Sequence, residues 1–294
     1  MGCPNPDSMY FGTTVPKHDS DVIWTNNGNE PEWIDPGKCG ESAGSTLVNT
    51  LFAGLAQPHP QSLKPMPDIA TGWDISTDGL TYTFYLRQTQ WSDGHPFTAE
   101  DFEWSWKRVL DPKTDSRYAN FLWTIKNGEA FNRKAIAITK LPEKTTKEQL
   151  KKYLGATVDI ERIDIQDDGQ TAFIYVKPPQ EKNKIIDKIN STPFKSTLIR
   201  AQITNSSFVG VKALDNYTLE ATLENPIPYF LDVVMFYTTM PVPKHVLDRL
   251  EQEGTKKELW TRPENIVSNG AYKEEIELEE LLGNSSLNLH QKKI

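Results

Sequence analysis

The segment Trp91–Pro112, WSDGHPFTAEDFEWSWKRVLDP, constrains the fold more than any other, because it spells a helix with a start, a buried face and a stop. Thr98 has the residue type of an N-cap, its hydroxyl accepting from an orphan backbone N–H of the first turn, and Asp101 sits three residues on. Phe97 before the cap and Phe102 within the helix occupy the two positions of a hydrophobic staple. Phe102, Trp106 and Val109, joined by Leu110, fall on one face. Glu100 and Asp101 lie at the positive end of the helix dipole, Lys107 and Arg108 at the negative end. Asp111-Pro112 ends the helix, since the ring disfavours helical geometry in the residue before it.

Beyond its periodicity, the run WSDG-x-P-x-TAEDF, followed by W-K-R-V-L-D-P-K-T, resembles the peptide-binding family of bacterial extracellular solute-binding proteins. These are the oligopeptide and dipeptide receptors of ATP-driven importers. Other blocks follow in family order. NNGNEPEWIDPG resembles the family's opening strand and turn, with Ile34 in place of the usual Leu. Asp68–Ser76, Thr77-Asp78-Gly79 and Leu80–Arg87 predict a hairpin, with Leu80, Tyr82, Phe84 and Leu86 on the core side. Ser116-Arg117-Tyr118-Ala119 resembles the family's S-P-Y-A, with Arg117 replacing Pro, and Asn127-Gly128-Glu129-Ala130-Phe131 follows it too. The likeness fades over 132–207, where helices over Thr145–Leu154 and Glu181–Asn190 flank a hairpin turning at Asp168-Gly169. It returns at Val209 with a hairpin about Asp215-Asn216, then Asn225–Phe230 and Pro241–His245 leading into helices. Trp260–Tyr272 resembles the return to the first lobe. Gln57–Pro67, rich in proline, reads as a loop, and Leu278, Leu281 and Leu282 as a short helix.

Gly40-Glu41-Ser42-Ala43-Gly44 is a literal G-x-S-x-G, the nucleophile-elbow pattern of α/β-hydrolases. An elbow must follow a buried strand, whereas Pro36 and Gly37 upstream read as loop, and no HGGG-type oxyanion segment precedes it. His245 is the one well-placed downstream base. A loop entering an N-capped helix accounts better for the letters. A serine hydrolase using Ser42 stays as the alternative, together with a non-transport interaction protein built from a receptor fragment.

The net charge of −8 argues against nucleic acid, whose phosphates would repel the chain. No apolar run approaches the ~20 residues of a membrane span. Cys3 and Cys39 lack metal-ligand spacing with each other or with any His, and a disulfide between them stays open. The start lacks the charged and apolar regions of a signal peptide, yet Met1-Gly2-Cys3 before a Pro/Asn/Asp/Ser-rich stretch looks like a mature lipoprotein.

The resemblance implies an α/β, periplasmic-binding-protein-like (class II) fold, present here as part of lobe I plus its attached mixed α+β subdomain. Residues 1–20 would be a tether, 21–52 and 245–273 the partial lobe, 53–244 the inserted subdomain and 274–294 a divergent tail. The chain is expected to be a receptor truncated to its N-terminal half, not an enzyme, with no cofactor. Its expected partners are peptide and the permease subunits of an importer, at a periplasmic or cell-surface location with Cys3 as lipid anchor. By position along the motifs, Gly40, Glu41 and Ser42 would form the peptide-facing edge and Tyr118 would offer a ring at the cleft.

Overall fold

A computed structural model describes residues 22–24, 29–155, 157–275 and 288–291 of the chain. After β1 (Val22–Trp24), helix α1 (Ser42–Leu51) buries Leu47, Val48 and Leu51 on one side. Gln57–Pro67 is not the plain loop expected: β2 (Ala56–Pro58) and β3 (Pro65–Pro67) pair there as a small antiparallel ribbon. A two-stranded ribbon leaves each strand one free edge, where proline's missing N–H costs nothing. β4 (Ala70–Ile75) and β5 (Thr81–Leu86) make the hairpin about Thr77-Asp78-Gly79, and Tyr82, Phe84 and Leu86 are buried as their alternation requires.

The turn after β5 carries the short pair β6 (Thr89–Gln90) and β7 (Pro96–Phe97) and feeds α2 (Ala99–Leu110). Phe102, Trp106, Val109 and Leu110 are all buried, and the Phe97 and Phe102 rings meet edge to face at 5.5 Å, the expected staple. Thr98 and Asp101 form the reciprocal cap that the sequence predicts, with two unequal halves. Asp101 Oδ2 accepts from the backbone N–H of Thr98 at 2.8 Å, while the Thr98 hydroxyl lies 3.5 Å from the same carboxylate. The reciprocal carboxylate is thus the firm half of the cap. The buried Trp106 indole donates to the Thr239 carbonyl at 2.8 Å, and Ser105 Oγ accepts from Val242 N at 2.9 Å. Both polar groups are therefore satisfied where water cannot reach them.

Beyond α3 (Gly128–Asn132) come β8 (Ile136–Thr139), α4 (Lys147–Leu154), β9 (Ile160–Ile165), β10 (Ala172–Val176), α5 (Lys182–Ser191) and β11 (Arg200–Ile203). Their antiparallel sheet has the order β11-β8-β10-β9. Ile136, Ile138 and Ile174 pack with Leu150, Leu154 and Ile189 of the two helices into a core of their own. This is the region where the family likeness fades. β12 (Val211–Asp215) and β13 (Thr218–Thr222) then add to β5, giving the order β12-β13-β5-β4.

α6 (Phe230–Val234) and α7 (Lys244–Gln252) precede β14 (Tyr272–Glu275) and β15 (Asn288–Gln291). β15 lies between β1 and β14, antiparallel to both, so part of the tail expected to diverge is a central strand. The helix expected over Leu278, Leu281 and Leu282 falls outside the described residues. The main core runs continuously from Cys39 and Leu47 through Phe84 and Trp106 to Trp260 and Val267. Among the described residues no helix is long and apolar enough to cross a membrane.

Candidate functional site

Gly40–Ser42 joins the turn at Pro36–Lys38 to the start of α1. Glu41 is extended, with φ −138° and ψ 163°, and is the N-cap: its carboxylate oxygens each accept from Gly44 N at 2.9 Å. A carboxylate suits that position because it meets the positive end of the helix dipole. A Cβ at Gly44 would lie 2.3 Å from the Trp33 carbonyl and 2.4 Å from Glu41 Oε1, so glycine is required by close approach. That explains the second glycine of G-x-S-x-G without any catalytic role. Ser42 is exposed and begins the helix, so the extended edge is shorter than the expected Gly40–Ser42. Among the described residues, neither the N–H nor the C=O of Gly40 is hydrogen-bonded, and the Glu41 N–H is also unpaired.

Arg117, which stands where the family pattern has proline, lies over Gly40. A Cβ built there would be 2.3 Å from Arg117 Cδ, and the guanidinium reaches on to Glu32 at 2.8 Å. Tyr118 is half-buried, and its ring meets Phe236 at 5.2 Å and Tyr237 at 6.1 Å, both edge to face. Phe121 packs on Tyr118 and Phe236, completing an aromatic group of four. The Tyr237 hydroxyl donates to the Cys39 carbonyl at 3.4 Å, tying that group to the residue before Gly40. Burial, with Cys39 and Tyr118 close by, pushes the Tyr237 hydroxyl above its usual range. Cys39 is a free, buried thiol, raised chiefly by burial, and so is unreactive. Cys3 lies outside the described residues. The structure therefore brings Gly40, Glu41 and Tyr118 onto one patch, linked through Arg117 and Tyr237.

The most tightly held group beside this patch is one that motif reading did not single out. Asp35 is 2% exposed and receives Arg108 in a two-pronged pair, with Nη1 at 3.0 Å from Oδ1. Trp260 Nε1 donates to Oδ2 at 3.0 Å, and Gly37 N to Oδ1 at 2.9 Å. Burial would raise this carboxyl, but Arg108, Trp260 and Gly37 outweigh it and hold Asp35 below the usual carboxylate range. Asn269 clamps the far end of α1, accepting from Ala53 N at 3.0 Å and donating to Ala53 O at 2.9 Å. Ser268 exchanges bonds with Ser92, its N–H donating to Ser92 Oγ and its carbonyl accepting from Ser92 N. The letters I-D-P, W-K-R-V, W-x-R-P and S-N-G-A-Y thus meet as one scaffold.

His245 pairs through Nε2 with Asp93 at 2.8 Å and stacks on His95 at 4.1 Å, so it is engaged elsewhere than Ser42. Among the described residues no strand runs into Ser42. Among the described residues no three His, Cys, Asp or Glu side chains are placed to hold a metal ion.

The sequence matches the family described as Bacterial extracellular solute-binding proteins, family 5 Middle, over residues 64–275. It is 31% identical to the periplasmic oligopeptide-binding protein OppA of Escherichia coli (strain K12) over 84% of this chain and 32% of that protein. It is also 31% identical to the probable deoxycholate-binding periplasmic protein YgiS of the same organism, over 85% of this chain and 34% of that protein. Among solved structures, an oligopeptide-binding protein of Borrelia burgdorferi (OppAIV) matches with TM-score 0.55 at 30% identity, over 85% of this chain and 36% of that one. Haemophilus influenzae OppA in complex with the peptide RPPGFSPFR matches with TM-score 0.56 at 25% identity, over 86% of this chain and 35% of that one. The chain spans about a third of the length of these relatives. With the family match covering most of its length, and its motifs meeting in one scaffold, this chain belongs to the family 5 bacterial extracellular solute-binding proteins.

Proposed function

We propose that the chain supplies one wall of a peptide-binding cleft in a receptor that delivers peptides to the permease of an ATP-driven importer. The observation that carries this reading is the unpaired backbone at Gly40 and Glu41 beside the Tyr118 aromatic group. An extended peptide recognised by strand addition needs main-chain donors and acceptors that the protein has left free, together with roomy apolar surface for its side chains. The patch supplies free main-chain groups at Gly40 and Glu41 and the half-buried rings of Tyr118, Phe121 and Phe236. Glu32 and Arg117 beside it offer opposite charges to the ends or side chains of such a peptide. In this reading residues 21–52 and 245–273 are part of the first lobe, 53–244 the inserted subdomain, and 274–294 its tail. The protein works at the periplasmic or cell-surface side of the membrane, with Cys3 as point of lipid attachment, and binds without catalysing.

The test is fluorescence polarisation of labelled tri- to pentapeptides at increasing protein concentration. Weak, saturable binding that drops several-fold in Tyr118→Ala is expected. Binding unaffected by that substitution, or none up to millimolar protein, would overturn the assignment of the wall. The non-catalytic part is checked with a fluorophosphonate probe. No labelling is expected, and labelling lost in Ser42→Ala would restore the hydrolase alternative.

A further inference from the structure

The junction between the two sheets holds a cavity of about 340 Å³, remote in sequence from Gly40 and with no part in the peptide-binding reading. That volume is at the lower end of the range for small-molecule sites. Its walls come from five places: Trp123 before α3, Asn127 and Glu129 at α3, Arg162 and Asp164 on β9, Phe173 and Tyr175 on β10, and Glu224 just after β13.

The charges around it are unevenly matched. Arg162 donates to Glu129 and Asp164, each at 2.7 Å, and lies 4.1 Å over the Tyr175 ring. Arg133 braces Glu129 from behind at 3.0 Å and also binds Glu161 at 2.6 Å, and Lys147 stands 3.8 Å from Asp164. Three cations thus answer three carboxylates, and the Arg162 guanidinium is a fixed part of the wall. Glu224 forms no ion pair among the described residues. Its carboxylate accepts from Asn127 N at 2.9 Å, and its own N–H is tied to Thr124 O at 2.9 Å.

Asn127 holds the rim in place: its backbone N–H meets the Glu224 carboxylate, and its amide nitrogen donates to Phe208 O at 2.8 Å. Its Oδ1 is closed off from solvent and has no partner among the described residues. The side-chain amides of Gln166 and Asn225, which also face the cavity, make no hydrogen bond among the described residues. The Trp123 ring is pinned by its indole N–H to Asn132 Oδ1 at 3.1 Å and offers a π face.

A carboxylate with no ion-pair partner, two unengaged side-chain amides and an aromatic wall call for a ligand with N–H donors and positive charge. A phosphate or carboxylate would meet Glu224 unshielded. We propose that this cavity binds a small organic cation bearing a primary ammonium or guanidinium group, with Glu224 as its principal acceptor and the amide oxygens of Gln166 and Asn225 beside it.

The test is isothermal titration of the intact chain with putrescine and with methylguanidine at matched ionic strength, with glucose and inorganic phosphate as comparison probes. Saturable one-to-one binding of a cation is expected, weakened about tenfold by Glu224→Gln, the scale of a single well-placed charge contact. Asn225→Asp breaks no bond, adds charge at the same rim, and should tighten binding several-fold. Absence of cation binding up to ten times millimolar concentration, or cation binding indifferent to both substitutions, would overturn the proposal. Saturable binding of glucose or phosphate in place of the cations would overturn it as well.

Discussion

Asp35 accepts hydrogen bonds from Arg108 and Trp260, side chains that lie 73 and 225 positions away in the chain. Removing one member of such a pair leaves the other charge buried and unanswered, so Asp35→Ala should destabilise by about 3–5 kcal/mol. A denaturant titration reads this directly, and a loss under ~1 kcal/mol would show the pair to be dispensable. The same carboxylate sets an acid sensitivity. Its folded pKa is depressed below the unfolded value, so its contribution is fully present above about pH 4 and is lost as pH falls through the folded pKa. Asp35→Asn should therefore flatten stability against pH below about pH 4, and an unchanged acid limb would contradict this. Arg117, by contrast, forms a half-exposed pair with Glu32. Arg117→Ala is expected to change stability by less than about 1 kcal/mol while uncovering Gly40.

At the scale of elements, α2 shows how caps and packing divide the work. Asp101→Ala should cost about 1 kcal/mol by freeing the Thr98 N–H, and Thr98→Ala less, because the hydroxyl is the looser half of the capping box. Equal losses from both would show the two halves to be of equal strength. Trp106→Ala, which empties a fully buried site and orphans the Thr239 carbonyl, should cost about 3–5 kcal/mol. The helix and the hairpins were legible because their signals are local: alternation in Leu80–Leu86, a staple at Phe97 and Phe102, turn residues at Asp168-Gly169. The β2–β3 ribbon was missed because proline argues against strands unless free edges are known in advance. The strand Asn288–Gln291 was missed because its partners, Val22–Trp24 and Tyr272–Glu275, are set by long-range pairing that no local pattern encodes. At the candidate site, the motifs name Gly40 and Tyr118 but not that they lie on one patch, because Arg117 as a cover and Tyr237 as a link depend on how the chain folds back on itself.

For the whole molecule, a ligand at 100 times its dissociation constant stabilises by about 2.7 kcal/mol through linkage. In the proposed reading these residues form one wall of the cleft, so a peptide held at Gly40 and Glu41 keeps its second face in water, and a millimolar tri- to pentapeptide pool is expected to leave the melting temperature of this chain almost unchanged. A reproducible rise of several degrees would show that this wall alone binds firmly. A melt, however, does not locate the contact. Titration of the isotope-labelled chain with the same peptide pool, followed through its backbone amide resonances, does. The amides of Gly40 and Glu41 should shift saturably together with the Tyr118 ring signals, while the sheet β11-β8-β10-β9 stays fixed. Saturable shifts confined to other surfaces, with Gly40 and Glu41 unmoved, would contradict the placement of the peptide-binding wall.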